Sequence, residues 1–312
     1  MNILMTGISS FTGLHFVKAL QKRGHTLIGV HQSPLEDYSV DYKQRLTQSL
    51  SLCEHQLQAS FGDPQFCQYI QQVPIDVYCH HGAYTTQYSS ADFPTQQAIQ
   101  QNTLNLDKVS TLLQKNGCHS IVVSSSIFAG NGPVTSGIVP FSGYGESKWR
   151  TDQLFSIACH QANLRCARFV IPNPFGPFDN PKLPLQMAKQ WSQGLPLHIK
   201  TPLYIRDNIH VRLLAEHYAS WIEALPQQPS YTTSLPSGYV ESVHQFSERV
   251  AKEIRLRTGW RCEIIVQKQE AFPQPRILHN TTSLLQSVHR NEVADWDALA
   301  RWFQSIASST DG

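Results

Sequence analysis

The chain has 312 residues, of which 41% are hydrophobic, and a formal net charge of +2. This length suits one large domain or two closely joined lobes, because a single core rarely grows beyond about 250–300 residues. A charge so close to neutral gives no electrostatic reason to expect nucleic acid or an anionic membrane as a partner. No apolar run approaches the about 18 residues that cross a membrane, and no basic segment precedes the short apolar N-terminus, so we expect a cytoplasmic protein.

The seven cysteines are odd in number and form no C-x-x-C pair. This pattern favours buried thiols in a reducing compartment over disulfides or zinc ligands. The adjacent His80 and His81 have no cysteine or carboxylate cluster at ligand spacing beside them. We therefore predict no metal site.

Short apolar runs alternate with helical patterns over the first two-thirds of the chain. They predict strands at 1–5, 26–30, 75–79, 120–124 and 165–171, and helices at 13–23, 94–114 and 146–161. Because the runs do not alternate polar with apolar residues, they are typical of strands buried on both faces of a parallel sheet. Right-handed crossovers then give an α/β fold with a Rossmann-type, doubly wound parallel sheet. We assign this domain to residues 1–171.

The sequence pattern changes after residue 171. Five prolines, at 172, 174, 177, 181 and 184, crowd one segment, and shorter elements follow it. The pattern predicts helices near 185–193, 213–224, 242–257 and 295–305, and strands near 203–209 and 262–267. We expect residues 172–312 to form a smaller α/β substrate-binding lobe, with some strands interleaved between the two lobes.

The first predicted strand runs into the sequence TGISSFTG, and a helix follows. A dinucleotide-binding turn has the pattern T-G-x-x-G-x-x-G, so Gly7 and Gly13 are present and Ser10 replaces the middle glycine. The first glycine allows a tight turn, and the last allows close packing of helix on strand. The Ser10 hydroxyl can donate to phosphate at the helix N-terminus; otherwise it is a plain N-cap. Together with Gly7, Ser10 and Gly13, we assign to the turn Ser9, Phe11 and Thr12.

The second predicted strand leaves the choice between NAD and NADP open. It ends in Val30-His31-Gln32-Ser33, so no carboxylate stands where one binds the ribose 2′-hydroxyl of NAD. No arginine stands there either. Without a carboxylate, nothing here repels the 2′-phosphate of NADP, which slightly favours NADP. We assign His31 to the cofactor site. Asp63 has two equal interpretations, a contact for the adenine amine and a plain turn aspartate.

Tyr144 and Lys148 lie four residues apart in a predicted helix, which places the phenol and the ammonium on one face. A tyrosine has an unperturbed pKa of about 10, and a nearby ammonium together with a cationic nicotinamide ring lowers it. A serine hydroxyl at a neighbouring strand end can hold the substrate oxygen. Ser124, Ser125 and Ser126 follow a buried run, which places them at the carboxyl edge of the sheet.

Seven segments, in this order, make the chain resemble the extended short-chain dehydrogenase/reductase family, also called NAD-dependent epimerase/dehydratases. They are TGISSFTG at 6–13, DVYCHHGA at 76–83, NTLNL at 102–106, VVSSSIFAG at 122–130, YGESK at 144–148, NPFGP at 173–177 and RDNIHV at 206–211. Together they span most of the chain. The resemblance implies hydride chemistry on a nucleoside-diphosphate sugar and a homodimer formed by the helices 94–114 and 146–161.

The resemblance also implies roles for individual residues. Tyr144 is the acid/base, and Lys148 lowers its pKa and binds the nicotinamide ribose. The family's catalytic serine lies five residues before the glycine that is Gly130 here, which selects Ser125 over its two neighbours. Asn102 belongs to the proton-relay group. The residues implied to contact the cofactor are His81, Gly82, Ala83 and Pro172, and those implied to contact the substrate are Asn173, Arg206 and, less strongly, Arg276.

The chain departs from the family pattern at several positions besides Ser10. Ala129 replaces a tyrosine, and Leu213 replaces a supporting aspartate after the RDNIHV segment. The family's 4,6-dehydratases have Asp-Glu directly after the catalytic residue, whereas Ser126-Ile127 follows Ser125 here. Water elimination therefore has no evident acid/base pair, and we do not expect a dehydratase.

Three functions remain open from the sequence. One is an epimerase that keeps its NAD(P) and returns hydride to the other face of C4. The second is an NADPH-dependent 4-keto-6-deoxy nucleotide-sugar reductase. The third is a non-catalytic cofactor-sensing protein, against which the presence of Ser125, Tyr144 and Lys148 argues. The missing ribose carboxylate favours the reductase, and the RDNIHV segment favours an epimerase similar to those acting on UDP-galactose.

Overall fold

The computed structural model describes residues 1–130, 140–180 and 182–310. Pro181, one of the five clustered prolines, lies outside these residues. The chain divides into two compact units. The first consists of Met1–Ile171 and Ala215–Leu235, and the second of Pro172–Leu214 and Pro236–Gly312.

The first unit contains a seven-stranded sheet in which every pair of neighbours is parallel. Its strands are β1 Asn2–Thr6, β2 Thr26–His31, β3 His55–Gln58, β4 Val77–His80, β5 Ser120–Ser126, β6 Arg165–Ile171 and β10 Tyr231–Ser234. The spatial order is β10-β6-β5-β4-β1-β2-β3. The order reverses at β1, as the predicted Rossmann-type, doubly wound sheet requires.

The helices of the first unit are α1 Phe11–Lys22, α2 Val40–Leu50, α3 Pro64–Tyr69, α4 Thr95–Asn102, α5 Leu106–Lys115 and α6 Gly143–Gln161. Apolar side chains from the strands and from α3, α5 and α6 form one continuous core; examples are Leu4, Phe66, Val109, Ile121 and Phe155. The central strands β4 and β5 are buried along their whole length. The unbroken apolar runs in the sequence therefore correspond to two-sided burial.

The single helix predicted at 94–114 is wrong, because the structure has two helices there, α4 and α5. The break lies at Asn105, whose backbone is left-handed with φ +53°. The Asn105 side chain donates to the Gly62 carbonyl oxygen at 2.8 Å. Asparagine tolerates this conformation better than most residues, and its amide supplies the long-range contact that stabilises it.

The second unit consists of short strands and three longer helices. Its strands are β7 Asn173–Phe175, β8 Leu197–Ile199, β9 Ile205–His210, β11 Pro236–Ser237, β12 Tyr239–Ser242, β13 Ile264–Val266, β14 Ile277–Leu278 and β15 Thr282–Ser283, and its helices are α7 Leu183–Ser192, α9 Val243–Thr258 and α10 Glu292–Thr310. Strand β9 pairs with β12 antiparallel and with β7 and β14 in parallel. The core is aromatic, with Trp191, Phe246, Trp296 and Phe303 among its members.

The segment Ala215–Leu235 belongs to the first unit although it follows part of the second. Helix α8, Val211–Glu223, has its first four residues in the second unit, and β10 joins β6 at an edge of the sheet of the first unit. All seven cysteines are free thiols, and six of them are buried. Across residues 1–130, 140–180 and 182–310, no helix is long and apolar enough to cross a membrane.

Candidate functional site

The carboxyl ends of β1, β4 and β5 lie side by side, because these strands are neighbours in a parallel sheet. Strand β1 leads into the glycine turn, β4 into His81 and Gly82, and β5 ends with the three serines. Open α/β sheets bind ligands at such an edge. The sheet thus brings together three segments that the sequence had assigned to the cofactor and to catalysis.

The glycine turn is packed too closely for side chains at two of its positions. Gly7 has φ +72°, and a Cβ atom built on it would lie 2.6 Å from the Gly82 backbone nitrogen. A Cβ atom on Gly13 would lie 2.2 Å from the Gly7 carbonyl oxygen. These contacts are the close strand, loop and helix packing that the sequence pattern predicts.

Ser10 is the N-cap of α1. Its hydroxyl oxygen accepts from the Gly13 backbone N–H at 3.0 Å and also lies 3.0 Å from Nε2 of His81. The Thr12 hydroxyl lies 3.0 Å from the same nitrogen. The Ser10 side chain, for which we considered a phosphate donor and an N-cap, therefore serves as the cap and has a buried histidine as a second partner. Its donation to a phosphate stays a prediction.

Helix α2 fixes the same turn from its other side, which the sequence did not predict. The Arg45 guanidinium donates through Nε to the Ser9 carbonyl at 3.0 Å, and the Ser49 hydroxyl donates to the Ile8 carbonyl at 2.7 Å. Arg45 is 2% exposed and Phe11 is also 2% exposed. Since α2 lies more than 30 positions further along the chain, no local pattern could have revealed this contact.

The segment after β4 is attached to β1 through Thr6. The Thr6 hydroxyl accepts from the backbone N–H groups of His81 at 3.1 Å and Gly82 at 2.9 Å. The His81 side chain lies 2.8 Å from the Ser124 hydroxyl through Nδ1. Burial, and next the Lys148 ammonium, lower the pKa of His81 to about 3, so its ring is neutral at physiological pH.

His31 and Asp63 both have partners within their own loops. Nδ1 of His31 lies 2.8 Å from the Ser33 carbonyl, so this nitrogen carries a proton and donates. Asp63 is the N-cap of α3 and accepts from the backbone N–H groups of Phe66 at 2.7 Å and Ser60 at 2.8 Å. Asp63 is therefore a turn residue, as one of the two interpretations predicts. Its contact with adenine stays a prediction.

Tyr144 lies in the first turn of α6, in an aromatic pocket. Its ring centroid is 5.5 Å from that of Tyr88, 5.9 Å from Phe93 and 6.5 Å from Phe128. Burial raises the pKa of Tyr144, Tyr88 and Asp152 act in the same direction, and the nearby Ser126 hydroxyl lowers it. A phenolate at this position thus requires additional positive charge.

Lys148 is buried one turn further along α6. Its ammonium donates to the Ser124 carbonyl oxygen. Burial lowers the pKa of Lys148, while the Asp152 carboxylate raises it. The i, i+4 spacing places the side chains of Tyr144 and Lys148 on the same face of α6. The bond to the Ser124 carbonyl also fixes Lys148 to the end of β5.

The spacing to Gly130 selects Ser125, but the structure places this hydroxyl against a buried ion pair. Ser125 donates to Oδ2 of Asp152 at 2.5 Å and lies 3.3 Å from the Arg168 guanidinium. Arg168 itself donates to the same carboxylate oxygen at 2.8 Å. The serine that influences the pKa of Tyr144 is Ser126. Successive side chains of a strand point to opposite faces, which explains the difference between the two serines.

Asn102 connects the loop after β4 with α6. Its amide oxygen accepts from the Tyr84 backbone N–H at 2.8 Å, and its amide nitrogen donates to the Thr151 hydroxyl at 3.4 Å. Asn102 is 3% exposed. These contacts hold the loop that follows Gly82 and Ala83; the proton-relay role of Asn102 stays a prediction.

The second unit holds the residues assigned to the substrate. Asn173 donates to the Asn208 amide oxygen at 2.6 Å, and Asn208 donates to Glu241 at 3.2 Å. Pro172 beside it is buried. This bond uses one of the two N–H groups of the Asn173 amide.

The two arginines of the second unit differ in their surroundings. Arg206 is 9% exposed, and its NH1 group donates to the carbonyls of Ile205, Pro275 and Arg276 at 2.9–3.2 Å. Its guanidinium is thus partly used in fixing the 274–276 segment. Arg276 is exposed, and its guanidinium lies 5.4 Å from the Phe272 ring centroid. Among the residues that the structure describes, no cluster of three histidine, cysteine or carboxylate side chains could hold a metal.

Comparison with known proteins gives one family. The sequence model of the NAD-dependent epimerase/dehydratase family matches residues 3–231. No curated protein sequence matches the chain significantly.

Solved structures share the fold at low sequence identity. The UDP-glucuronic acid 4-epimerase of Bacillus cereus, in complex with a fluorinated UDP-sugar and NAD, is 17% identical with a TM-score of 0.76, covering 98% of this chain and 100% of that chain. The UDP-glucose 4-epimerase of Stenotrophomonas maltophila, with NAD and a formylated UDP-arabinopyranose, is 20% identical with a TM-score of 0.75, covering 99% of both chains. That of Thermotoga maritima, with UDP-glucose, is 18% identical with a TM-score of 0.73, covering 98% and 99%.

Proposed function

The chain belongs to the NAD-dependent epimerase/dehydratase family, and we propose that it transfers hydride between a nicotinamide dinucleotide and C4 of a nucleoside-diphosphate sugar. The observation that carries this proposal is the placement of Tyr144 and Lys148 one turn apart on α6, with Lys148 bound to the carboxyl end of β5. The glycine turn after β1 lies at the same edge of the sheet. Solved structures of the same fold bind UDP-sugars together with NAD, which supports the substrate class.

For the cofactor we propose NAD. The sequence leaned slightly to NADP because His31 stands where a carboxylate would repel a 2′-phosphate. The Nδ1–H group of His31 is used by the Ser33 carbonyl, which leaves Nε2 for a contact with a ribose hydroxyl. The presence of NAD in the related structures supports the same choice.

Tyr144 moves the proton in the proposed reaction. Its phenolate accepts the proton of the sugar 4-hydroxyl during oxidation and returns it during reduction. Bound nicotinamide supplies the hydride acceptor and donor. Because burial raises the pKa of Tyr144, the phenolate depends on positive charge, which the Lys148 ammonium contributes from the next turn. An epimerase results if the cofactor stays bound and hydride returns to the other face of the sugar.

We assign the substrate-oxygen contact to Ser126, where the spacing rule gave Ser125. The Ser125 hydroxyl is used by the Asp152 carboxylate, whereas Ser126 lies beside Tyr144. Two matched variants separate the assignments. Ser126→Ala should lower kcat by about 100-fold, since one hydrogen-bond donor to a reacting oxygen is lost. It should lower the melting temperature only slightly, through the loss of the bond from the Phe128 N–H to the Ser126 hydroxyl. Ser125→Ala should instead lower the melting temperature; the opposite pattern would restore Ser125 to the catalytic role.

In the second unit we propose the Asn173 amide, Arg206 and Arg276 as substrate contacts. Arginine suits a diphosphate because its fork donates two parallel hydrogen bonds. Arg276 has the more accessible guanidinium, since it is exposed, whereas Arg206 is buried and its NH1 group donates to backbone carbonyls. Arg276→Lys should therefore raise the KM for the sugar nucleotide with little change in kcat.

We also propose a homodimer through α6. Leu154 and Ile157, three residues apart on this helix, are 39% and 55% exposed, so they form an apolar pair on its surface. Sedimentation of wild type and of an Ile157→Asp variant tests the interface. A wild-type monomer at micromolar concentration would exclude it.

The decisive experiment is a panel of UDP-, dTDP-, GDP- and CDP-sugars, assayed without added cofactor and with NADH or NADPH. Epimerisation by protein that retains nicotinamide absorbance supports the proposal. Stoichiometric consumption of NADPH by a 4-keto sugar identifies a reductase instead. Tyr144→Phe is the matched control, because it removes only the proton-transfer atom. An unchanged turnover in Tyr144→Phe refutes the mechanism, and dinucleotide binding without any turnover in the wild type indicates a cofactor-sensing protein.

A further inference from the structure

The His81 side chain joins the dinucleotide turn to the end of β5. Nε2 lies 3.0 Å from the hydroxyl oxygens of both Ser10 and Thr12, and Nδ1 lies 2.8 Å from the Ser124 hydroxyl. The residue is 9% exposed. All three partners are hydroxyl groups, each of which can donate or accept a hydrogen bond.

The ring carries a single proton. Burial favours neutral His81, and in a neutral imidazole one nitrogen donates while the other accepts. If the proton is on Nδ1, then Nε2 accepts a hydrogen bond from the hydroxyl of Ser10 or Thr12. If the proton is on Nε2, the ring donates to one of these oxygens and both hydroxyl hydrogens are free to point elsewhere. Ser124 accommodates either form, because its hydroxyl can accept from Nδ1–H or donate to bare Nδ1.

An acceptor-only ligand at the turn selects between the two forms. A pyrophosphate has no proton to give at neutral pH, and it binds at a helix N-terminus such as that of α1. It therefore attracts the hydroxyl hydrogens of Ser10 and Thr12, which is compatible only with the proton on Nε2. The Ser10 oxygen meanwhile keeps accepting from the Gly13 N–H.

We propose that His81 is a positioning residue for the cofactor pyrophosphate, which holds the Ser10 and Thr12 hydroxyls so that they donate to it. This inference rests on the proposed dinucleotide cofactor. It also gives a physical reason for serine at the middle position of the turn, where the dinucleotide pattern has glycine. A hydroxyl at this position becomes a phosphate donor when a proton-bearing neighbour supports its oxygen.

A double-mutant cycle on cofactor binding tests the coupling. Wild type, His81→Leu, Ser10→Gly and the double variant are titrated calorimetrically with NAD and with ADP-ribose, without sugar substrate. His81→Leu should weaken binding about tenfold in the wild-type background, as expected for the loss of one or two supported hydrogen bonds. In the Ser10→Gly background the same substitution should weaken binding only about twofold, because one of the two supported donors is already gone. Equal weakening in the two backgrounds overturns the inference.

Two matched substitutions separate positioning from folding. The Gln amide reaches the place of Nε2, whereas the shorter Asn amide reaches only that of Nδ1. His81→Gln should therefore bind NAD more tightly than His81→Asn, at similar melting temperatures of the free proteins. This pair replaces His81→Leu if that variant does not fold. Tighter binding by His81→Asn refutes the proposed contact with the turn.

Two further readouts use a control ligand and the wild-type protein. Adenosine, which has no pyrophosphate, should bind His81→Gln, His81→Asn and wild type equally. In wild type, ¹⁵N-resolved NMR of the His81 ring should show the proton on Nε2 in the NAD complex. A proton on Nδ1 in that complex, or an adenosine affinity that follows the NAD affinity, overturns the inference. If wild type binds no dinucleotide at all, the proposed function fails and this inference with it.

Discussion

Replacement of Arg168 by methionine should destabilise the first unit by leaving a buried carboxylate without its cation. Arg168 Nε lies 2.8 Å from Oδ2 of Asp152, and the two side chains are only 10% and 8% exposed. At an effective dielectric constant of 20, this separation corresponds to an attraction of about 6 kcal/mol. Part of it is offset by the desolvation of both charges, so we expect a loss of about 3–5 kcal/mol on removal of the arginine. The melting temperature should fall by about 10 °C.

The destabilisation should depend on pH with a defined sign. Burial raises the pKa of Asp152, and the Arg168 charge opposes this. Without Arg168 the folded-state pKa is raised further above the unfolded value of about 3.9. A carboxyl with a raised folded pKa costs stability above its unfolded pKa, and the cost disappears on acidification. The deficit of the variant relative to wild type should therefore be largest near pH 7.5 and small near pH 4.

Urea unfolding of wild type and Arg168→Met at these two pH values measures the deficit. Arg168→Met combined with Asp152→Asn is the control, because asparagine fills the same space without charge and should recover most of the loss. Equal stability of Arg168→Met and wild type at pH 7.5 would show that the ion pair is not buried as described. A deficit that grows on acidification would show that the carboxylate is not its source.

Three further outcomes follow from local contacts. Asn105→Ala should cost about 1–3 kcal/mol in unfolding free energy, since alanine is strained at a positive φ and loses the bond to Gly62. Asn105→Gly should recover the part of this loss that comes from the backbone conformation, and equal losses in the two variants would contradict this reasoning. Asp63→Ala removes the N-cap bond to Phe66 and should cost about 1 kcal/mol in urea unfolding, with Asp63→Asn close to wild type. The pKa of His81 is about 3 in the folded state and about 6.5 in the unfolded state, so its contribution to stability is present above pH 6.5 and decreases as the pH falls towards 3. His81→Gln should reduce the slope of unfolding free energy against pH in this range by up to about 1.4 kcal/mol per pH unit, and an unchanged slope would count against a buried neutral ring.

Much of the first unit could be predicted from the sequence because its signals are local. Unbroken apolar runs correspond to β1, β2, β4, β5 and β6, with ends within a few residues of the prediction. The polar, half-exposed β3 and the short β10 were missed, since edge strands lack two-sided burial and thus the apolar run. The missed strands of the second unit are only two to four residues long, which is too short for a recognisable strand pattern.

For the candidate site, the sequence predicted which reactive side chains are present, but it predicted their positions in the structure only approximately. The glycines of the turn follow from local backbone geometry, and the Tyr144–Lys148 pair follows from helical periodicity. Which of the two hydroxyls lies beside Tyr144 did not follow from the sequence, because successive residues of a strand point to opposite faces and a motif spacing does not fix the face. The catalytic roles of Ser125 and Ser126 stay predictions.

The tertiary structure alone decided the partners that come from distant parts of the chain. His81 meets Ser10 across 71 positions, and Arg45 meets Ser9 across 36. Parallel strands bring such residues together only after the crossover helices are packed, so the contacts depend on the register of the sheet. The sequence by itself determined the sheet, the turn and the reactive side chains; the packing determined which hydroxyl faces Tyr144 and which side chains hold the turn.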